Sequence, residues 1–238
     1  MNEDDSVNTD SRYIISEKQY KEIMYIATDY IIGRDSSHDV QHALRVCSQA
    51  TKIIQSMRSG IVEDDAWSDE LCMLVVVSAS LIHDAIDHKY VDCEEKKQSV
   101  LESIKVRLSK VIGNIGADAV ALIITNMSFS QKKALTTQEL APFGVLRDIV
   151  RDADRLDAMG AVGIARCFAY TAASGQSFYE ARAHFSEKLL TLHETLVTPQ
   201  ARAIATELHD HMVEFVRWFD QETGTDNVER WNQSCGKG

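Results

Sequence analysis

The residues best suited to chemistry stand together at Leu81-Ile82-His83-Asp84, followed closely by Asp87 and His88. The run before them, Leu71 to Ile82, contains only apolar residues and two serines. Burying a charge among such neighbours costs on the order of several kcal/mol unless the charge is paired or bound to a metal. A polar cluster that ends so apolar a helix therefore sits at the rim of the core, where a cation could be held. Adjacent helical positions are about 100° apart, so His83 and Asp84 can both reach one ion only if it lies near the helix end. Taken alone, a His-Asp step is more often a structural histidine beside a solvated aspartate, because short motifs match by chance.

Two other segments carry side chains of the same kind. His38 and His42 stand at i and i+4, on one face near the start of an earlier helix, and Arg45 follows a turn later. Arg151-Asp152-Ala153-Asp154-Arg155-Leu156-Asp157 places three acids in a helix with apolar neighbours such as Val145, Leu146, Ile149 and Val150. In isolation that stretch fits equally a salt-bridged stripe with Arg147, Arg151 and Arg155.

The elements that must position these residues all read as helices. With only 2 Pro and 11 Gly in 238 residues, the chain lacks the turn residues an all-β domain consumes. Ser16 to Gln19 has capping-box form and opens a helix that Gly33 ends; Ser37 is placed to cap the next. Ser68 or Asp69 starts the apolar helix. Asp92, with Glu95 three residues on, caps a further helix to about Ile112, and Gly113 and Gly116 frame a break. Helices follow from Asp118 to about Met127, Pro142 to Ala158 and Ala161 to Ala173, with a helical stretch over 180–195. Thr198-Pro199 caps a last amphipathic helix, closed by Gly224. The expected organisation is a disordered tail over residues 1–12, one helical domain over 13–224 and a loose tail over 225–238.

Composition narrows the function. A net charge of -11 argues against a large duplex-binding face, which needs basic residues to neutralise phosphates. A small anionic substrate remains compatible if an ion supplies positive charge locally. The 5 cysteines are widely spaced with no CxxC pair, which reads as reduced thiols packed as small hydrophobes. The N-terminal stretch is polar and acidic without an apolar signal core, and Leu71 to Ile82 is short for a membrane span. A cytoplasmic protein without membrane attachment, monomeric or homodimeric, is expected.

Along the chain the order is His, then His-Asp, then Asp. That order resembles the HD superfamily of metal-dependent phosphohydrolases, in which these residues, from separate helices, converge on a divalent cation. The matching stretches are Ser37-His38-Asp39-x-x-His42-x-x-Arg45-Val46, Leu81-Ile82-His83-Asp84, and Asp152-Ala153-Asp154-Arg155-Leu156-Asp157-Ala158. The continuation Gly160-Ala161-Val162-Gly163-Ile164-Ala165-Arg166 is similar to a small bacterial YedJ-like subgroup. So are Ser128-Phe129-Ser130, His184-Phe185-x-x-Lys188-Leu189-Leu190 and Thr198-x-x-Ala201-Arg202. The resemblance covers about Ile31 to Phe219.

The resemblance implies an all-α, single-domain HD-type bundle with His38, His83, Asp84 and Asp154 as metal ligands. Asp152 and Asp157 then stand behind the ligands, and His42 and His88 orient them. A mixed N/O ligand set suits Mn, Fe, Co, Ni, Zn or Mg, with no thiolate to favour zinc. Activity would be hydrolysis of a nucleotide or similar small phosphate compound, by attack of a metal-activated water on phosphorus, with release of pyrophosphate from nucleoside triphosphates as one form. Asp87 would serve as general acid/base beside His83 and Asp84. Two ligand carboxylates cancel the charge of the ion, so Arg45, Lys89, Arg155 and Lys188 are expected to meet substrate phosphates. The alternatives are a non-catalytic nucleotide-binding signalling module and a helical scaffold without metal.

Overall fold

Short polar side chains start the helices as their chemistry dictates. Ser16 closes a capping box with Gln19 at the head of α1 (Glu17–Ile31). Asp39 caps α2 (Val40–Gln55), accepting from the His42 N–H at 2.9 Å, and Ser68 caps α3 (Asp69–Ile82) through the Leu71 N–H. Ser177 caps α7 (Phe178–Glu187), and Thr198 with Pro199 starts α8 (Pro199–Thr223), which Gly224 ends in the left-handed conformation at φ 63°. The remaining helices are α4 (Glu94–Thr125), α5 (Gly144–Asp157) and α6 (Gly160–Ala173), with a 3-10 helix over Leu189–Thr195.

This computed structural model describes residues 14–32, 39–58, 60–87, 91–127 and 136–224, and no strand occurs among them. The all-α expectation therefore holds. The expected caps Gly33 and Ser37 and both expected tails (1–12 and 225–238) lie outside the described residues. Three local expectations are corrected. Cys93, not Asp92, precedes α4, and the Asp92 carboxylate instead accepts from Lys96 Nζ at 2.7 Å. Of the two glycines expected to break α4, only Gly113 does, at φ 74°; Gly116 stays helical, and its missing Cβ leaves room for Leu71, which a Cβ would meet at 3.0 Å. The stretch 180–195 divides into the end of α7 and the 3-10 helix.

Contacts gather into two units, Met1–Asp154 and Arg155–Gly238. In the first, α1, α2 and α4 pack on α3, whose residues from Cys72 to Ile82 are all buried. By area, fully burying each Leu, Ile or Val of that run is worth about 1.5–3 kcal/mol, which fixes α3 as the axis of this unit. α4 is long and apolar enough by composition to cross a membrane, but the Gly113 kink divides it into two shorter helices. In the second unit, α6 packs on α7 and α8. Phe168 meets Phe178, Phe185, Phe215 and Phe219 there, and Arg182 holds Asp220 through two hydrogen bonds of 2.7 Å.

Candidate metal centre

Three elements of the first unit supply the polar cluster. α3 ends at Ile82, and His83 follows as its C-cap, still near helical φ/ψ. The His83 Nδ1 lies 2.8 Å from the Ser80 carbonyl oxygen. A carbonyl only accepts, so Nδ1 carries the proton and donates, which leaves the Nε2 lone pair for a ligand. His42 sits in the first turn of α2, where the Asp39 cap fixes its backbone. Asp154 projects from the last turns of α5.

Their donor atoms converge. His42 Nε2 lies 3.2 Å from His83 Nε2, 3.6 Å from Asp84 Oδ2 and 3.5 Å from Asp154 Oδ1. His83 Nε2 lies 3.4 Å from Asp84 Oδ2 and 3.6 Å from Asp154 Oδ1. Ligand atoms about 2.0–2.2 Å from one ion are separated by about 3–3.5 Å in octahedral or tetrahedral geometry. The spacing therefore fits a divalent cation, and His42, His83 and Asp154 are the group of described residues able to hold one. The imidazoles form the buried wall, at 1% and 4% side-chain exposure, while Asp84 at 22% and Asp154 at 39% form the open rim. Among the described residues, the carboxylates are the more solvent-accessible side of the cluster.

The electrostatics fit the same occupant. Burial alone pulls the His83 imidazolium down, but Asp84 and Asp154, with the Ser80 carbonyl, outweigh it and raise the group from 6.5 to about 9. A proton there does for the carboxylates what a cation would do.

The sequence expectations divide accordingly. His83, Asp84 and Asp154 come together. His42, expected to orient ligands from behind, presents its own Nε2 to the centre. His38 lies outside the described residues, as do His88 and Lys89. The signal that could have favoured His42 is the cap: α2 begins after Asp39, which puts His42 in its first turn. Asp87 does not lie on a continuation of α3, which stops at Ile82 and is followed by a turn. That turn still ties it to the doublet, since the Asp87 N–H donates to the Asp84 carbonyl at 2.9 Å. Asp152 is fully buried. Arg45 is half-buried, three residues past His42 on α2.

In the second unit, Asp157 accepts from Arg166 Nη1 at 2.8 Å, an architectural link between the end of α5 and α6. Arg155 donates to the Thr195 carbonyl at 2.6 Å, and Lys188 is an exposed residue closing α7. A Cβ on Gly163 would collide with the Ala158 carbonyl, and one on Gly160, at φ 63°, with Leu208 at 2.7 Å. Part of the Asp157-to-Arg166 run is thus explained by packing.

Comparison with known proteins adds the lineage. The chain is 34% identical over 209 residues to "Uncharacterized protein YpgQ" of Bacillus subtilis (strain 168), covering 86% of this chain and 94% of that protein. A crystal structure of a Bacillus thuringiensis protein described as an HD-superfamily hydrolase matches with a TM-score of 0.58 and 27% identity, over 87% of this chain and 97% of that one. The chain belongs to the HD superfamily. A further match is the crystal structure of Bacillus subtilis YpgQ in complex with ADP, at a TM-score of 0.65 and 31% identity, covering 85% of this chain and 97% of that one. No family model matches the sequence. The described residues of this HD-superfamily chain include a His/His/Asp group whose donor atoms could hold a metal ion.

Proposed function

We propose that this HD-superfamily protein is a divalent-metal-dependent phosphohydrolase acting on a nucleotide or a similar small phosphate compound, with pyrophosphate release from nucleoside triphosphates as its leading form. The observation that carries the reading is the convergence of two imidazoles and two carboxylates, from α2, the end of α3 and α5, within 3.2–3.6 Å of His42 or His83. The ADP complex of the YpgQ relative supports a nucleotide as the ligand class.

A divalent cation held by His42, His83, Asp84 and Asp154 would supply Lewis acidity toward water and phosphate oxygen. The chain's own groups do the rest. The Ser80 carbonyl fixes the His83 tautomer so that its lone pair faces inward. The buried imidazoles exclude water from one side, and the open carboxylate rim leaves one direction for approach. Asp87, tethered by its N–H to the Asp84 carbonyl, is the proposed general acid/base that takes a proton from the attacking water. Arg45 on α2 is a proposed phosphate cation. Manganese is the first metal to try, because the mixed N/O set suits it. A cytoplasmic location fits such a substrate.

The test is a screen of nucleoside mono-, di- and triphosphates with Mn²⁺, Mg²⁺, Co²⁺ and Ni²⁺, reading orthophosphate and pyrophosphate separately. His83→Ala and Asp84→Ala are expected to abolish release while circular dichroism stays helical. Full activity in either variant removes the mechanism. Metal and nucleotide binding without any release would make the protein a nucleotide-binding module instead.

A further inference from the structure

Arg147, Arg151 and Asp154 occupy positions i, i+4 and i+7 of α5 and so share one stripe of that helix. Side-chain exposure rises along the stripe, from 1% at Arg147 to 14% at Arg151 and 39% at Asp154. Asp148, itself 2% exposed, ties the buried end. It accepts from Arg147 Nε and Arg151 Nη2, each at 2.8 Å, and from Thr137 Oγ1 at 2.6 Å.

Arg151 is under-used in this arrangement. A guanidinium carries five N–H donors in a fixed fork. Asp148 takes one from Nη2, while the Nε–H is buried with no partner among the described residues. Burial works against the charge, and Asp148 is the foremost group opposing that effect. Asp148 thus uses one donor of the fork, and the part of the side chain that stays exposed, at 14%, is where an acceptor from outside the chain reaches the remaining Nη donors. Arg155, by contrast, is engaged by the Thr195 carbonyl in the second unit.

Side chains on a helix lean toward its N-terminus. The Arg151 guanidinium, drawn back to Asp148, therefore lies about one turn, about 5 Å, ahead of the Asp154 carboxylate along the axis. Two linked phosphates bridge such a gap; a single phosphate engaged at the carboxylate end does not.

We infer that Arg151 is a substrate-binding residue that receives the second phosphate of a nucleoside di- or triphosphate whose first phosphate is held at the His42–His83–Asp154 centre, a role that rests on the function proposed above. Asp148 acts as its positioning residue, holding the fork from behind. Arg151 thus makes the site select chains of two or more phosphates over one.

Calorimetric titration of ADP and AMP into the full-length protein saturated with Mn²⁺ tests this without relying on turnover. The wild type is expected to bind ADP at least about tenfold more tightly than AMP, the scale of one charge-assisted contact. Arg151→Gln should bring the two affinities within about twofold of each other, leaving AMP and Mn²⁺ binding unchanged. Arg151→Lys, which keeps the charge and loses the fork, should fall between and serves if the glutamine variant does not fold. A folded variant with the wild-type ADP-to-AMP ratio overturns the inference, even if its melting temperature drops. A wild type that takes up Mn²⁺ and ADP while both variants match it removes Arg151 alone. A wild type that binds neither removes the functional reading and this role with it.

Discussion

If the centre at His83 holds a proton until a metal displaces it, metal affinity must depend on pH in a defined way. With the imidazole raised to about 9, the group is almost wholly protonated at pH 7. Displacing that proton costs about tenfold in affinity for each unit between the working pH and 9, so about 100-fold, or about 3 kcal/mol, at pH 7. Mn²⁺ affinity should therefore rise about tenfold per pH unit between about 6.5 and 8.5, with close to one proton released per ion. Anaerobic calorimetry in two buffers of different ionisation enthalpy counts that proton directly. Thermal stability of the metal-free protein should run the other way. The folded value lies above the ordinary 6.5, so the stabilisation is complete below about pH 6.5 and is lost as pH rises through about 9, amounting to about 3 kcal/mol. A flat affinity profile with no proton release would mean that His83 is neutral in the metal-free protein, and the carboxylate field deduced from Asp84 and Asp154 would be wrong.

Further outcomes follow from the same geometry. His42→Ala should weaken Mn²⁺ binding at least about 100-fold, by loss of a direct ligand, and His38→Ala by less than about tenfold; equilibrium dialysis that reverses this order would restore His38 as the ligand. Gly163→Ala should destabilise by about 1–3 kcal/mol or more, because its Cβ meets the Ala158 carbonyl, and urea unfolding with an unchanged midpoint would contradict that packing. Leu81→Ala, at a residue 1% exposed on α3, should cost about 2–5 kcal/mol and weaken metal binding through the helix end it supports. Thr198→Ala should cost about 1 kcal/mol in the same unfolding assay without touching metal affinity.

Much was legible in the sequence because it depends on local rules. The spacing of apolar residues and the Ser16, Ser68 and Thr198 caps announced most helices, and Leu71 to Ile82 announced the buried axis. The doublet His83-Asp84 was exposed by its setting, since ionisable groups closing so apolar a helix need an explanation. The order His, His-Asp, Asp then led to the HD superfamily, which the YpgQ and Bacillus thuringiensis relatives bear out.

Tertiary structure decided what local rules leave open. That the His42 imidazole reaches His83 depends on where Asp39 starts α2 and how that helix lies on α3, neither of which the spacing of the histidines contains. Asp154 stands out from Asp152 and Asp157 only because the rotation of α5 turns it toward the imidazoles, while Asp152 is buried and Asp157 pairs with Arg166. Arg151 reads as a surface charge in the sequence, but Asp148, which also accepts from Thr137, holds its guanidinium. Spacing along one helix is a local property, whereas the meeting of donors from three elements is set by packing, and packing depends on every residue in the core at once.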